Sequence, residues 1–179
     1  MIDSTIILPS RPKIINEIET RGTYEIEGLY PGYGHTLGNS LRRIVLSSLP
    51  GTAITSVKVE GASHEFSILP GVQEDVIMII LNLKRVRFSF EGDEPKKLRL
   101  MVKGVKTVTA AEIETAGVVT ILNPDQVIAN LTDKKPNLEL ELLIEKGLGY
   151  VPKESMSREG KGVGTIFVDR DRPTFFSFT

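Results

Sequence analysis

Three glycines before and within a predicted helix are the residues whose spacing first suggests chemistry. In the stretch PGYGHTLGNSLRRIVLSSLPG they are Gly32, Gly34 and Gly38, and they follow a predicted strand. A glycine-rich turn in this position can direct backbone N–H groups toward a phosphate, helped by the positive end of the helix dipole. The spacing G-x-G-x-x-x-G departs from the dinucleotide-binding pattern, and no G-K-[ST] follows it. A nucleotide-binding enzyme is therefore an alternative hypothesis, against a plain turn with small residues that allow close packing.

The two histidines and one acidic pair are the other candidates for metal binding or acid–base chemistry. His35 and His64 lie in separate predicted elements, without the H-x-x-x-H spacing that places two ligands on one helical face. Asp169 and Asp171 lie in a predicted charged turn with no third carboxylate nearby. The absence of cysteine excludes disulfides, thiolate metal sites and cysteine nucleophiles. We therefore expect no catalytic residue, no metal and no cofactor.

The composition is that of a globular protein without a strong net charge. Of 179 residues, 40% are apolar and 25% are charged, and 22 Lys and Arg against 23 Asp and Glu give a net charge of −1. No global field attracts such a chain to nucleic acid or to an anionic membrane, so any contact with DNA has to be local or indirect. Because no apolar run has the length of a signal peptide or a membrane span, we expect a cytoplasmic protein.

Apolar periodicity predicts many strands and two helices, which favours an α+β fold over repeated βαβ units. Strands are predicted in TYEIEGL, TAITSVKVEG, HEFSIL, GVVTIL, QVIANLT, NLELELLI and TIFV. A hairpin across the turn EGDEPKK is predicted from two alternating sets, Val86, Phe88 and Phe90, then Leu98, Leu100 and Val102. The segment from Glu145 to Gly164 is predicted to be a long exposed loop. Near the C-terminus, Phe175, Phe176 and Phe178 require cover from another part of the molecule.

The first helix, predicted from Thr36 to Leu49, has two different sides. At about 100° per residue, the stripe predicted to face the chain's own core consists of Leu37, Leu41, Ile44, Val45 and Ser48. The opposite side carries Arg42, Arg43 and Leu46. A leucine flanked by arginines, on a helix already packed on its other side, is typical of an anchor for another protein.

The second helix, in PGVQEDVIMIILNLK, is apolar around most of its surface. One stripe consists of Val72, Val76, Ile79, Ile80 and Leu83, and the remaining side carries Ile77, Met78 and Leu81. Such a helix needs cover on both sides. The chain's own sheets or a partner protein are two possible sources of that cover, and the sequence leaves both open.

The motifs GYGHTLGNSLRRIVLSSLPG, GVQEDVIMIILNLK and KGLGYVP resemble the amino-terminal domain of the bacterial-type DNA-directed RNA polymerase alpha subunit. In that family the domain is a non-catalytic part of the nucleotidyltransferase complex. The domain dimerises, and the beta and beta-prime subunits assemble on the dimer. The resemblance implies an α+β fold of two subdomains. The dimerisation subdomain consists of residues 1–50 plus 164–179 and has a mixed or antiparallel sheet with helices. A second, mostly β subdomain, residues 51–163, is inserted into it. It also implies the bacterial cytosol or an organelle stroma, DNA contact only through the complex, and no membrane.

The resemblance further implies contact residues, carried over by position. The side that faces beta consists of Arg42, Arg43, Leu46, Gly71, Val72, Gln73, Glu74 and Asp75. The side that faces beta-prime consists of Lys84 and Val168, and the helix that pairs with a second alpha-type chain presents Leu37, Leu41, Ile44 and Val45. Family members continue past the position of Thr179 with a long helix that packs on both protomers, and we expect weaker pairing without it. A free-standing alpha-like regulator that competes for beta is a further alternative.

Overall fold

The chain forms two compact units, Met1–Ile44 and Val45–Thr179. The computed structural model describes residues 8–18, 21–90, 92–133, 137–155 and 164–171, with the backbone alone at positions 170 and 171. The predictions for Phe175, Phe176 and Phe178 concern positions outside the described residues.

The first unit contains an antiparallel hairpin and most of the first helix. The hairpin pairs β1 (Lys13–Ile18) with β2 (Arg21–Glu25), and every residue of both strands is exposed. Ile14, Ile18 and Tyr24 are 63%, 60% and 52% exposed. The prediction that TYEIEGL forms a half-buried strand is therefore wrong in its burial. Alternation shows that a strand has an apolar side, but another element must pack there before that side is buried.

The first helix, α1, spans Tyr33–Ser48 and begins before the predicted Thr36. None of its residues is buried, and Leu41 and Ile44 are 42% and 56% exposed. The other two apolar members of the predicted core stripe, Leu37 and Val45, are partly buried. The expectation that this stripe faces the chain's own core is therefore wrong. An amphipathic pattern predicts that a side of the helix is suited to burial, but not whether the same chain supplies the cover.

The second unit is built around a five-stranded sheet in the order β12-β3-β10-β5-β7, in which every pairing is antiparallel. Its elements are β3 (Pro50–Val59), α2 (Val76–Leu83), β4 (Phe88–Phe90), β5 (Lys96–Lys103), β6 (Lys106–Thr109), β7 (Ile113–Glu114), β8 (Val119–Ile121), β9 (Val127–Leu131), β10 (Asn137–Leu148), β11 (Tyr150–Val151), β12 (Thr165–Phe167) and β13 (Arg170–Asp171). Short 3-10 turns lie at Ala110–Glu112 and Lys153–Ser155. With two α-helices among the described residues, this arrangement confirms the predicted α+β class.

Strand β10 occupies the centre of the sheet, because it pairs with β3 on one side and with β5 on the other. Its alternating apolar residues, Leu138, Leu140, Leu142 and Ile144, are each at most 1% exposed, as the pattern NLELELLI predicted. The strand continues to Leu148, so the segment from Glu145 does not begin as the predicted loop. Residues 156–163 of that predicted loop lie outside the described residues.

The outer side of the same sheet carries a row of alternating charges. Lys58, Glu141, Arg99 and Glu114 are successive register partners across β3, β10, β5 and β7. Arg99 also donates to the carboxylate of Glu139, and this hydrogen bond is the main cause that raises the pKa of its guanidinium. Opposite charges directly across neighbouring strands favour this register, since a slip of one residue would turn the charged row toward the core.

One predicted pairing is wrong although both strands form. Strand β4 pairs with β8, and β5 pairs with β10 and β7, so the predicted hairpin between Val86 to Phe90 and Leu98 to Val102 does not exist. Alternation identifies a strand and its buried side, but it does not identify the partner, because every buried strand edge offers the same backbone groups.

The segment HEFSIL forms a turn instead of the predicted strand. The N–H of Ser67 donates to the carbonyl oxygen of His64 at 3.2 Å, and the N–H of His64 donates to the Ser67 hydroxyl at 3.4 Å. These local bonds compete with strand pairing. Phe66 and Ile68 are 71% and 79% exposed, so the alternation here corresponds to no buried side.

The second helix, α2, begins at an aspartate cap. Asp75 has an extended backbone, and its Oδ1 accepts the N–H of Met78 at 2.8 Å. This bond satisfies one of the amide groups that have no partner inside the first turn of a helix. The helix buries Val76, Ile79 and Leu83 in the core of the second unit. The cap therefore sets where the turn Gly71–Asp75 ends and the helix starts.

We expect Asp75→Ala to lower the free energy of unfolding by about 1 kcal/mol, because the Met78 N–H loses its acceptor. Urea denaturation followed by circular dichroism measures this change. Asp75→Asn keeps an acceptor oxygen at the same place and is the matched control, for which we expect a smaller loss. Equal losses in the two variants would contradict the cap as the source of the effect.

Candidate subunit interface

The three glycines that suggested a phosphate site do not share one loop. Gly32 has a φ of 84° in the turn before α1, whereas Gly34 and Gly38 lie within the helix. The N–H of Gly38 lies beyond the first turn, where helical amides are bonded to carbonyl groups of the same helix. The geometry required for a phosphate cradle, with several free N–H groups around one point, is not formed by this triplet.

The candidate metal and acid–base residues are also separated. His35 lies on α1, and Nδ1 of His64 lies 3.3 Å from the Ser67 hydroxyl. Asp169 has a structural role, because its Oδ1 accepts the N–H of Lys153 at 3.0 Å. Within the described ranges, no three His, Asp or Glu side chains are grouped so that they could hold a metal ion.

On α1, the residues predicted to meet beta are exposed. Arg42 and Arg43 are exposed and belong to the first unit. Leu46 is 47% exposed and belongs to the second unit. Arg43 and Leu46 are three positions apart and therefore lie on the same side of the helix. This side presents one apolar residue next to a guanidinium, the combination expected of a protein-binding anchor.

The C-terminal end of α1 is packed against the glycine of the motif KGLGYVP. A Cβ on Gly149 would lie 3.1 Å from the carbonyl oxygen of Ser47, and Gly149 has a φ of 56°. Both the close approach and the left-handed backbone favour glycine. The motif therefore belongs to the support of α1 within the second unit.

The turn Gly71–Asp75 is bound to strand β9 through its backbone. The N–H of Gln73 donates to the carbonyl oxygen of Asn130 at 2.9 Å, and the N–H of Thr132 donates to that of Gly71 at 2.9 Å. The structure thus places this predicted contact segment next to β9, with the side chain of Gln73 exposed and that of Val72 partly buried.

The side chain of Glu74 strengthens the same attachment. Its Oε2 accepts the N–H of Asn130 and its Oε1 accepts Nδ2 of Asn130, each at 2.7 Å. Both carboxylate oxygens are therefore directed toward β9. The second acidic residue of the turn, Asp75, is exposed and caps α2.

One side of α2 remains open. Met78 and Leu81 are each 47% exposed, whereas the stripe on the opposite side is buried. An open cavity of about 180 Å³ lies next to α2, lined by Glu65, Ile77, Ile80, Leu81, Lys84, Lys153, Ile166, Phe167, Val168 and Asp169. Of the two sources of cover that the sequence left open, the described sheets supply cover on one side of α2 only.

The two residues predicted to face beta-prime differ in exposure. Lys84 is partly buried, and its Nζ lies 3.9 Å from Oδ2 of Asp169. Val168 is 4% exposed, and its N–H donates at 3.1 Å to the carbonyl oxygen of Thr55, which lies at a bulge in β3. Lys84 therefore lies at the rim of the cavity, and Val168 contributes to its wall from the core.

Sequence reasoning missed the residues that hold the predicted contact segments in place. Asn130, Thr132 and Gly149 carry these attachments; Asn130 and Thr132 lie outside the quoted motifs, and Gly149 lies in KGLGYVP without a predicted role. The asparagine within the strand QVIANLT is the one available signal, because asparagine is depleted in strands and a polar side chain there requires a partner.

No helix among the described residues is both long enough and apolar enough to cross a membrane.

Comparison with known proteins gives a match over most of the second unit. Residues 57–171 match the family described as RNA polymerase Rpb3/RpoA insert domain. The DNA-directed RNA polymerase subunit alpha of Alkaliphilus metalliredigens (strain QYMF) is 51% identical over 163 residues, which are 89% of this chain and 51% of that protein. The subunit of the same name from Symbiobacterium thermophilum (strain DSM 24528 / JCM 14929 / IAM 14863 / T) is 52% identical over 163 residues, 89% of this chain and 51% of the relative.

A third relative, the DNA-directed RNA polymerase subunit alpha of Aquifex aeolicus (strain VF5), is 50% identical over 154 residues, 86% of this chain and 48% of the relative. The chain spans about half the length of the curated relatives it matches. Identity of this level, together with a family match over more than half of the residues, shows that the chain belongs to the family of the DNA-directed RNA polymerase alpha subunit.

Proposed function

We propose that this chain is a non-catalytic assembly component of a DNA-dependent RNA polymerase, on which the beta and beta-prime subunits assemble. One observation carries the proposal beyond family membership: α1 is an amphipathic helix of 16 residues, none of which is buried. A helix of this pattern needs cover from another surface. A partner protein supplies that cover in an assembly role, whereas an isolated enzyme domain would leave it exposed to solvent.

The beta subunit is proposed to meet Arg42, Arg43 and Leu46 of α1 and the turn Gly71–Asp75. The exposure of Arg43 and of Leu46 supports this assignment, because arginine is enriched in the energetically dominant part of interfaces and Leu46 adds apolar area that a partner can bury. In the turn, which belongs to the second unit, the exposed side chain of Gln73 offers a polar contact to beta.

The beta-prime subunit is proposed to meet the open side of α2 and the cavity rim at Lys84, with Val168 behind it. The exposed Met78 and Leu81 support an interface there, because they extend an apolar surface into solvent next to the cavity. The Lys84–Asp169 pair is long and partly exposed, so its contribution to stability is small and Lys84 can exchange partners.

A second alpha-type chain is the third proposed partner, bound through Leu37, Leu41, Ile44 and Val45. The exposed apolar residues of β1 and β2 add further uncovered apolar area in the first unit. We also propose the division into residues 1–50 plus 164–179 and residues 51–163. The pairing of β12 with β3 supports it, because the strands at the two ends of the insertion are then neighbours. The complex would act in the bacterial cytosol or an organelle stroma, with DNA contacted only through the other subunits.

We expect Arg43→Glu to abolish co-purification of the chain with beta, because the reversed charge repels the carboxylates that a guanidinium pairs with. Arg11→Glu, an exposed arginine outside α1, is the matched control and should leave co-purification unchanged. Retention of beta by Arg43→Glu would contradict the assignment of this side of the helix.

We expect the native chain to show an average mass that rises with concentration in sedimentation equilibrium. Ile44→Asp should hold the mass at that of one chain over the same range, because burial of a carboxylate at the pairing surface is unfavourable. Leu122→Asp, at an exposed apolar position of the second unit, serves as control. An unchanged concentration dependence in Ile44→Asp would exclude this helix as the pairing surface.

We expect no saturable binding when labelled ATP or GTP is titrated into the chain and followed by fluorescence anisotropy, because the three glycines surround no common point. Saturable binding that disappears in Gly32→Val would support the nucleotide-binding alternative and contradict an assembly role for this turn.

A further inference from the structure

We infer that Glu74 and Asn130 act as a pair of positioning residues, which hold the turn Gly71–Asp75 in the shape that meets beta, and that the charge of Glu74 does not itself contact beta. The inference rests on the proposed function, in which this turn is part of the beta side. It reassigns Glu74 from a contact residue to a support, and it assigns a role to Asn130, which lies outside every sequence motif of the family resemblance.

Both carboxylate oxygens of Glu74 are hydrogen-bonded within the chain. They accept the two N–H donors of one residue, the backbone and side-chain amides of Asn130, at 2.7 Å each. Bonds to an ionised acceptor of this length are strong. These bonds and the partial burial of the side chain direct the carboxylate toward β9, which leaves it less available to a cation on a partner.

Asn130 uses all four of its polar groups to connect the turn to the sheet of β6 and β9. Besides the two donors to Glu74, its carbonyl oxygen accepts the N–H of Gln73 at 2.9 Å. Its Oδ1 accepts the hydroxyl of Thr107 at 2.8 Å, and Thr107 is its register partner on β6. The Glu74 carboxylate can only accept hydrogen bonds, so it holds Nδ2 of Asn130 toward itself and leaves Oδ1 for the Thr107 hydroxyl.

Backbone bonds hold the start of the turn, where the N–H of Thr132 donates to the carbonyl oxygen of Gly71 at 2.9 Å, and the side chain of Glu74 adds an attachment near its end. Gly71 has a φ of 76°, and glycine can adopt many other backbone conformations. Gln73 is exposed. Gln73 is held by its own N–H, which donates to the carbonyl oxygen of Asn130, and the next residue, Glu74, is held to Asn130 through its carboxylate. The residues left to meet beta are then Gly71, Val72 and Gln73.

The network makes a specific prediction for Glu74→Gln. Glutamine offers one acceptor and one donor, so the Asn130 amide has to turn over and present Oδ1 to the new donor. Its Nδ2 then points to Thr107, whose hydroxyl can accept as well as donate. Glu74→Gln therefore keeps two hydrogen bonds to Asn130, whereas Glu74→Ala loses both. A direct charge contact with beta predicts instead that Glu74→Gln weakens binding as much as Glu74→Ala does.

The test measures the affinity of purified beta for the full chain by titration of a labelled chain. We expect Glu74→Gln to bind within about twofold of the native chain and Glu74→Ala to bind about tenfold more weakly. Asn130→Ala should lose less than Glu74→Ala, because the backbone N–H of Asn130 stays bonded to Glu74. The double variant Glu74→Ala with Asn130→Ala should bind like Glu74→Ala alone, because without Glu74 the side chain of Asn130 no longer holds the turn. Equal losses for Glu74→Gln and Glu74→Ala would overturn the inference.

A second measurement separates this inference from the proposed function. Amide hydrogen exchange at Gln73 and Asn130 in the chain without beta should be faster in Glu74→Ala and unchanged in Glu74→Gln. Unchanged exchange in Glu74→Ala would overturn the positioning role whatever beta does. Arg43→Glu serves as the reference for binding: if it binds beta normally while exchange behaves as expected, the assignment of the beta side fails and the support of the turn stands.

Discussion

The burial of one side of β10 is the constraint on which the second unit depends. Four alternating residues of this strand are almost fully excluded from water, and the strand uses both of its edges to pair with β3 and β5. The side-chain period of two means that this burial fixes the register of both neighbours. The position of α2, which packs its buried stripe into the same core, follows from that arrangement. Substitutions at the open surface of this unit therefore act on a scaffold that the central strand already holds.

Most of the acidic side chains near the proposed interfaces serve the chain's own structure. Glu74 binds Asn130, Asp75 caps α2, and Asp169 accepts the N–H of Lys153. Glu74 and Asp169 are partly buried and Asp75 is exposed, and each of the three accepts a hydrogen bond from a backbone amide. What the surface then offers to another protein is a combination of apolar and basic groups, such as Leu46, Met78 and Leu81 with Arg43 and Lys84. This division between supporting acids and exposed apolar or basic residues suits the proposed assembly role.

The two helices show how an amphipathic sequence relates to an assembly. No residue of α1 is buried, and α2 is covered on one side. Leaving such surfaces in water is unfavourable by roughly 25 cal/mol for each Å² of apolar area. In the proposed function, these surfaces supply part of the driving force for binding other subunits.

The sequence by itself determined the class of the fold, the positions of most strands and helices, and the family. The pattern NLELELLI identifies a buried strand from its period alone, and the motifs around α1 and the turn GVQED identify the relationship. Only the tertiary structure decided that β4 pairs with β8, that HEFSIL is a turn, and that the core stripe of α1 is exposed. The turn HEFSIL is held by local bonds between His64 and Ser67, which an alternating pattern does not report. The other two cases share one physical reason. Periodicity reports which side of an element is apolar, whereas strand pairing, burial and the partners of Asn130 depend on residues far away in the chain, which no local pattern specifies.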